Sequence, residues 1–164
     1  QRLALAFVSG DLFTVILRGD GSMIEAWNIS WDQKIPNQDY MKKLINNLNS
    51  WRREAGLDYL VTGRMIKPLP FEGAANIPMI TRPSGLPISF SSVLTSNWKS
   101  QKGRCAQFFA NYLPEDKEIT IDVSALKDVS VHNHAGDTRG ESTEQGKLTV
   151  HLPALSAVMV SYSR

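Results

Sequence analysis

The chain has one cysteine, Cys105, in 164 residues. An internal disulfide framework is therefore excluded, and the fold must rest on its core. Cys105 lies in an expected strand, Arg104-Cys105-Ala106-Gln107-Phe108-Phe109, and no local signature of a catalytic thiol surrounds it. A buried, inert thiol is the expectation. Long apolar runs are missing too: nowhere are there the roughly 18 uninterrupted apolar residues that a membrane helix needs. Charge of one sign is not in excess, since 18 Lys and Arg against 16 Asp and Glu leave a net charge of +2. Basic residues do not interleave with aromatics, so nucleic acid is not an expected partner, and without a long apolar run neither is a membrane. Arg52-Arg53 and Lys42-Lys43 read as the wet face of a helix. A Gly-x-Ser-x-Gly elbow, a phosphate-binding Gly loop and a dinucleotide fingerprint are all lacking, which argues against nucleotide enzymes and implies no cofactor.

What is present is clearest at the end. From Gly146 to Tyr162 the chain reads as two short strands hinged at Pro153. Leu148, Val150 and Leu152 alternate with polar residues, and Ala157 to Val160 run apolar. Alternation gives one face to a core and one to water. Proline cannot donate to a ladder and suits the break. The expectation is the last hairpin of a small antiparallel sandwich. Further strands are expected at Met79 to Thr81, Ile88 to Ser96, Arg104 to Tyr112, Glu118 to Val123 and Val129 to His132. No helix intervenes, and polar turns separate them, as in a sandwich.

The first 70 residues have a different texture. One helix is expected from Asp39 to Ala55, with Asp39 as its cap and Met41, Leu44, Ile45, Leu48, Trp51 and Ala55 on one stripe. Gly56 ends or bends it. Leu3 to Val8 reads as a strand and Leu12 to Leu17 as a second apolar run. Gly10-Asp11 between them is either a hairpin turn or the passage from a strand to a short helix. Lys67-Pro68-Leu69-Pro70-Phe71-Glu72-Gly73 cannot be helix interior and is a natural crossing segment. Arg18-Gly19-Asp20-Gly21 is a turn by composition. Gln1 to Val8 is too short for a secretory apolar region. With no initiator Met and an apolar start, the chain is read as a piece of a longer protein.

The order of these pieces resembles a known arrangement. The helix from Met41 to Trp51 runs into Tyr59-Leu60-Val61-Thr62-Gly63-Arg64-Met65-Ile66-Lys67-Pro68. Then come Ser96-Asn97-Trp98, Gly103-Arg104 through Phe108-Phe109-Ala110-Asn111-Tyr112, and the closing strand pair. This is similar to the end of retaining α-galactosidase-like and related bacterial glycoside hydrolases, over roughly residues 40 to 164. The resemblance implies late (β/α)8-barrel structure in residues 1–70, incomplete, and a C-terminal antiparallel β-sandwich in residues 71–164. The fold class is thus α+β, mainly β. It also implies a secreted or periplasmic protein. Its partners would be a carbohydrate ligand or the missing N-terminal barrel of the same polypeptide.

Glycoside hydrolysis needs two carboxyl groups across the scissile bond, about 5 Å apart for retention and wider for inversion. In the enzymes the chain resembles, both come from earlier barrel strands, so this chain is expected to lack the pair and to be inactive alone. The candidate sugar-binding residues are Asp11, Trp27, Trp31 and Asp32. Asp11 follows an apolar run and a Gly, as a strand-end carboxylate would, although a plain Gly-Asp turn accounts for it better. Trp27 and Trp31, with Glu25 and Asp32 beside them, could form one wall of a sugar site, because indole faces stack on pyranose rings. The same pair could equally pack beneath the following helix, and the residues favour that. Trp98 reads as an anchor at the end of the sandwich. His132-Asn133-His134 has metal-site spacing, but with no third ligand no metal site is expected, and the two histidines are read as exposed. The alternative to a barrel-supporting module is a free-standing carbohydrate-binding or adhesion module with an aromatic platform.

Overall fold

Phe108 and Phe109 define the architecture, because both are fully buried and each faces a different core. The computed structural model describes residues 1–13, 16, 17, 19, 20, 22–24, 38–53, 55–79, 88–133, 138, 139 and 143–164. Three layers are built from them: helices, a six-stranded sheet and a four-stranded sheet.

The helices are α1 (Arg2–Ser9), α2 (Gln38–Ser50) and α3 (Leu57–Leu60). Two short antiparallel ladders lie beside the main sheets. One joins β1 (Ile16–Leu17) to β2 (Met23–Ile24); the other joins β5 (Asn76–Met79) to β6 (Ile88–Ser91). The large sheet contains β3 (Arg64–Ile66), β7 (Val93–Lys99), β8 (Cys105–Asn111), β10 (Lys127–Asn133), β11 (Thr138–Arg139) and β14 (Ser156–Ser163), in the order β11-β10-β14-β8-β7-β3. The smaller sheet contains β4 (Phe71–Glu72), β9 (Lys117–Asp122), β12 (Thr143–Glu144) and β13 (Lys147–Leu152), in the order β12-β13-β9-β4. All pairings are antiparallel.

Strand patterning follows from which faces are covered. β13 lies on the outside of the sandwich and alternates exposed and buried residues, with Leu148, Val150 and Leu152 inward. β8 and β14 have both faces covered, so β8 is buried throughout and β14 up to its last residue. A near-continuous apolar run is the expected signature of such strands. The inter-sheet core packs Val93, Phe109, Val158 and Val160 against Ile119, Ile121, Leu148 and Val150. Phe71 meets Phe109 edge-on, with centroids 5.3 Å apart. On the other side of the large sheet, Phe108 is enclosed edge-to-face by Phe7 at 5.8 Å, Trp51 at 5.6 Å and Tyr59 at 6.4 Å. Burying each such ring contributes on the order of 2 kcal/mol, and edge-to-face geometry adds a little more.

Three expectations are corrected. Leu3 to Val8 is helical rather than extended. Ala4, Phe7 and Val8 meet the core at helical spacing, a pattern that six apolar residues in a row conceal. Gly10-Asp11 is consequently a helix terminus. Gly10 adopts φ +81, and its amide and that of Asp11 return to Phe7 and Ala6. The closing pair is no hairpin, since β13 belongs to the small sheet and β14 to the large one. The turn containing Pro153, with Leu155 at φ +57, carries the chain over the rim of the sandwich.

The segment from Lys67 also crosses between sheets, from β3 to β4, and two buried amides hold it there. Gln107 accepts from the Leu69 amide at 2.7 Å and donates to the Leu69 carbonyl at 3.0 Å, replacing a strand partner. Asn97 donates to the Lys67 carbonyl at 3.1 Å. A third buried amide, Asn111, donates to the carbonyls of Glu115, Leu152 and Pro153, closing the opposite rim. The observed α2 ends at Ser50, with Leu44 and Leu48 buried and Trp51 buried just beyond.

Candidate functional site

Two features of the surface carry chemistry. The first is the outer side of the helical layer. α1 has a single charged residue, Arg2, in eight and is apolar all round, a composition that belongs to a helix covered on every side. Only one of its faces is buried. Leu5 is 51% exposed, and Leu12 just beyond the helix is 79% exposed. Leu57 and Val61, one helical turn apart at α3, are also exposed, as is Met65 on β3.

Arg52 fixes the end of α1. Its guanidinium donates to the carbonyl oxygens of Gly10, at 3.1 Å, and Asp11. A cation there complements the partial negative charge of the helix C-terminus. Burial lowers the Arg52 pKa, and attraction to the Asp11 carboxylate opposes that shift. Asp11 is thus an exposed residue of a helix exit and sits beside a cation. Trp27, Trp31 and Asp32 lie outside the described residues.

The second feature is a cleft of about 450 Å³ at the edge of the large sheet. Thr62, Gly63 and Arg64, leading from α3 into β3, form one wall. Lys99, Ser100, Gln101 and Gly103, the end of β7 and the turn after it, form the other. Local chemistry dictates the shape. The turn is closed by the Ser100 amide to Arg104 at 2.9 Å and the Gly103 amide to Ser100 at 3.0 Å. A Cβ at Gly63 would stand 2.4 Å from the Tyr59 carbonyl oxygen and 3.0 Å from that of Lys99, so only glycine lets the two walls approach. The Thr62 hydroxyl donates to Asp58 at 3.3 Å and the Ser100 hydroxyl to Arg104 at 3.2 Å, which leaves both oxygens able to accept. Among the described residues that line the cleft, none carries a carboxylate.

The residues of this cleft escaped sequence reasoning. Arg64 and Lys99 are 35 positions apart and become neighbours only through the β3–β7 ladder. The remaining candidates resolve simply. Trp98 is buried, with its indole N–H donating to the Ser96 hydroxyl at 2.8 Å, so it offers no face to a ligand. Among the described residues every aromatic ring is buried or half-buried. Cys105 is buried. His132 is half-buried rather than exposed and its Nε2 lies 2.9 Å from the Ser161 hydroxyl, while His134 is outside the described residues. Among the described residues no three His, Cys, Asp or Glu side chains gather as a metal site would require.

No protein-family model matches the chain, and no curated protein matches it in sequence. Solved structures with a partial likeness to the chain include two xylanases. One is the glycoside hydrolase family 30 subfamily 8 xylanase Xyn30A of Clostridium acetobutylicum, with 17% identity and a TM-score of 0.37 over 44% of this chain. The other is the catalytic domain of the GH30 xylanase C of Talaromyces cellulolyticus, with 20% identity and a TM-score of 0.38 over 45% of this chain. The likeness spans 21% and 18% of those two chains, about a fifth of each enzyme.

Proposed function

We propose that this chain is the C-terminal support module of a glycoside-hydrolase-like, carbohydrate-active protein. Its helical layer would dock against a catalytic barrel of the same polypeptide. The observation that carries this reading is α1, a helix apolar on all sides with one face open. Leaving Leu5 half exposed and Leu12 mostly exposed forgoes on the order of 1–2 kcal/mol each, which a covering surface recovers. The identity of that surface is argued from the order of elements, which resembles a barrel end running into a sandwich. In this reading the carboxylate pair lies in the barrel and the chain alone hydrolyses nothing. A platform-type carbohydrate-binding module is less well supported, because the described aromatic rings are all turned inward to some degree.

The deciding test is the reading frame upstream of Gln1. A barrel sequence with two carboxylates at strand ends supports the proposal, whereas a start codon adjacent to Gln1 defeats it. The surface itself is tested by Leu5→Gln with Leu12→Gln in the longer polypeptide. The pair should weaken the joint unfolding of barrel and sandwich while leaving the isolated 164-residue chain as stable as before.

A further inference from the structure

The cleft at the sheet edge holds a charge arrangement that folding alone does not favour. Arg64 and Lys99 are direct partners in the antiparallel register, so their side chains leave the same face of the sheet. Like charges placed opposite one another destabilise a ladder. Among the described residues neither side chain has a hydrogen bond or an ion pair. The neighbouring Asp58 carboxylate is already engaged by Lys102 at 3.0 Å. Both cations belong to residues that line a cleft large enough for a small ligand, and Thr62 and Ser100 line it with them, each hydroxyl donating to a backbone carbonyl and still able to accept.

We propose that this cleft binds a small hydroxylated oxyanion, a phosphate or sulfate ester. Arg64 and Lys99 supply the counter-charge for the oxyanion. Thr62 and Ser100 accept from the hydroxyls of the organic part, and the Gln101 amide serves either role. The site removes the repulsion across β3 and β7 only when occupied, so ligand also stabilises the edge of the sheet. This inference concerns a different surface from the open face of α1 and stands without the docking proposal.

The test is an amide-resonance titration of the 164-residue chain with inorganic phosphate, glucose phosphate and free glucose. Phosphate and glucose phosphate should perturb residues 62–64 and 99–103, the ester should bind more tightly, and glucose should leave the spectrum unchanged. Arg64→Gln and Lys99→Gln should each weaken binding about tenfold, the loss of one charge-assisted contact. Lys99→Glu should abolish binding and raise Tm, which separates loss of the site from loss of the fold. Equal affinity for phosphate and its ester would overturn the role given to the hydroxyls. Perturbations that are absent, or that persist in the double glutamine variant, would overturn the site itself.

Discussion

Phe108 and Phe109 are adjacent in sequence yet belong to different cores, one beneath the helices and one between the sheets. The alternation of a strand forces this separation, and it makes the two cores separately addressable. Phe108→Ala and Phe109→Ala should each cost about 3–5 kcal/mol, the usual range for a buried aromatic. The consequences should differ in place. Loss of Phe108 should speed amide exchange in α1 and α2, and loss of Phe109 should do so in β9 and β13. Identical exchange patterns would show that the layers are not distinct.

Gly10 ends α1 in the left-handed region at φ +81, and a Cβ there would lie 2.8 Å from the Trp98 ring. Gly10→Ala combines a disfavoured backbone with a steric conflict, and we expect a loss of roughly 1–3 kcal/mol. Urea unfolding measures the loss, and a change in Trp98 emission should accompany it. A variant as stable as the parent would mean that Trp98 moves aside without cost.

Gln107 is fully buried and takes the place of a strand beside Leu69. Gln107→Leu keeps most of the volume but leaves the Leu69 amide and carbonyl without these partners. The expected cost is about 1–3 kcal/mol per orphaned group. Gln107→Glu should be tolerated only when protonated, since the carboxylate cannot donate to the carbonyl. Its Tm should therefore fall as pH rises through the carboxyl range, a dependence absent from the parent at this position.

His132 is half-buried, and burial, followed by the nearby Arg104 charge, lowers its pKa below the ordinary 6.5. Between the lowered folded value and 6.5 the unfolded chain binds more protons than the folded one. This contribution to stability is complete above about 6.5 and declines as pH falls through 6.5 toward the folded value. His132→Gln should remove that part of the acid sensitivity. Thermal melts across this range decide the matter, and an unchanged pH profile would remove His132 as its source.

Lys99→Glu turns a like-charged cross-strand pair into an opposite-charged one opposite Arg64. We expect a gain of about 0.2–1 kcal/mol in the absence of ligand, shrinking with added salt. Calorimetry at low and high ionic strength measures both effects.

Sequence alone determined the strands whose two faces differ. The alternation at Leu148, Val150 and Leu152 and the helical stripe through Leu44, Leu48 and Trp51 assign those residues to cores by their spacing, because one side meets water and the other does not. The antiparallel sandwich was legible on the same grounds. Only the tertiary structure decided what becomes of segments covered on more than one side. Leu3 to Val8 has no polar residue to mark its period, so its helix emerges from packing against the large sheet. The turn at Pro153 could close a hairpin or cross a rim, and the pairing of β14 with β8 and β10 chose the crossing. The cleft was equally hidden. Neither Arg64 nor Lys99 is unusual in its own segment, and their opposition exists only because an antiparallel ladder sets them face to face.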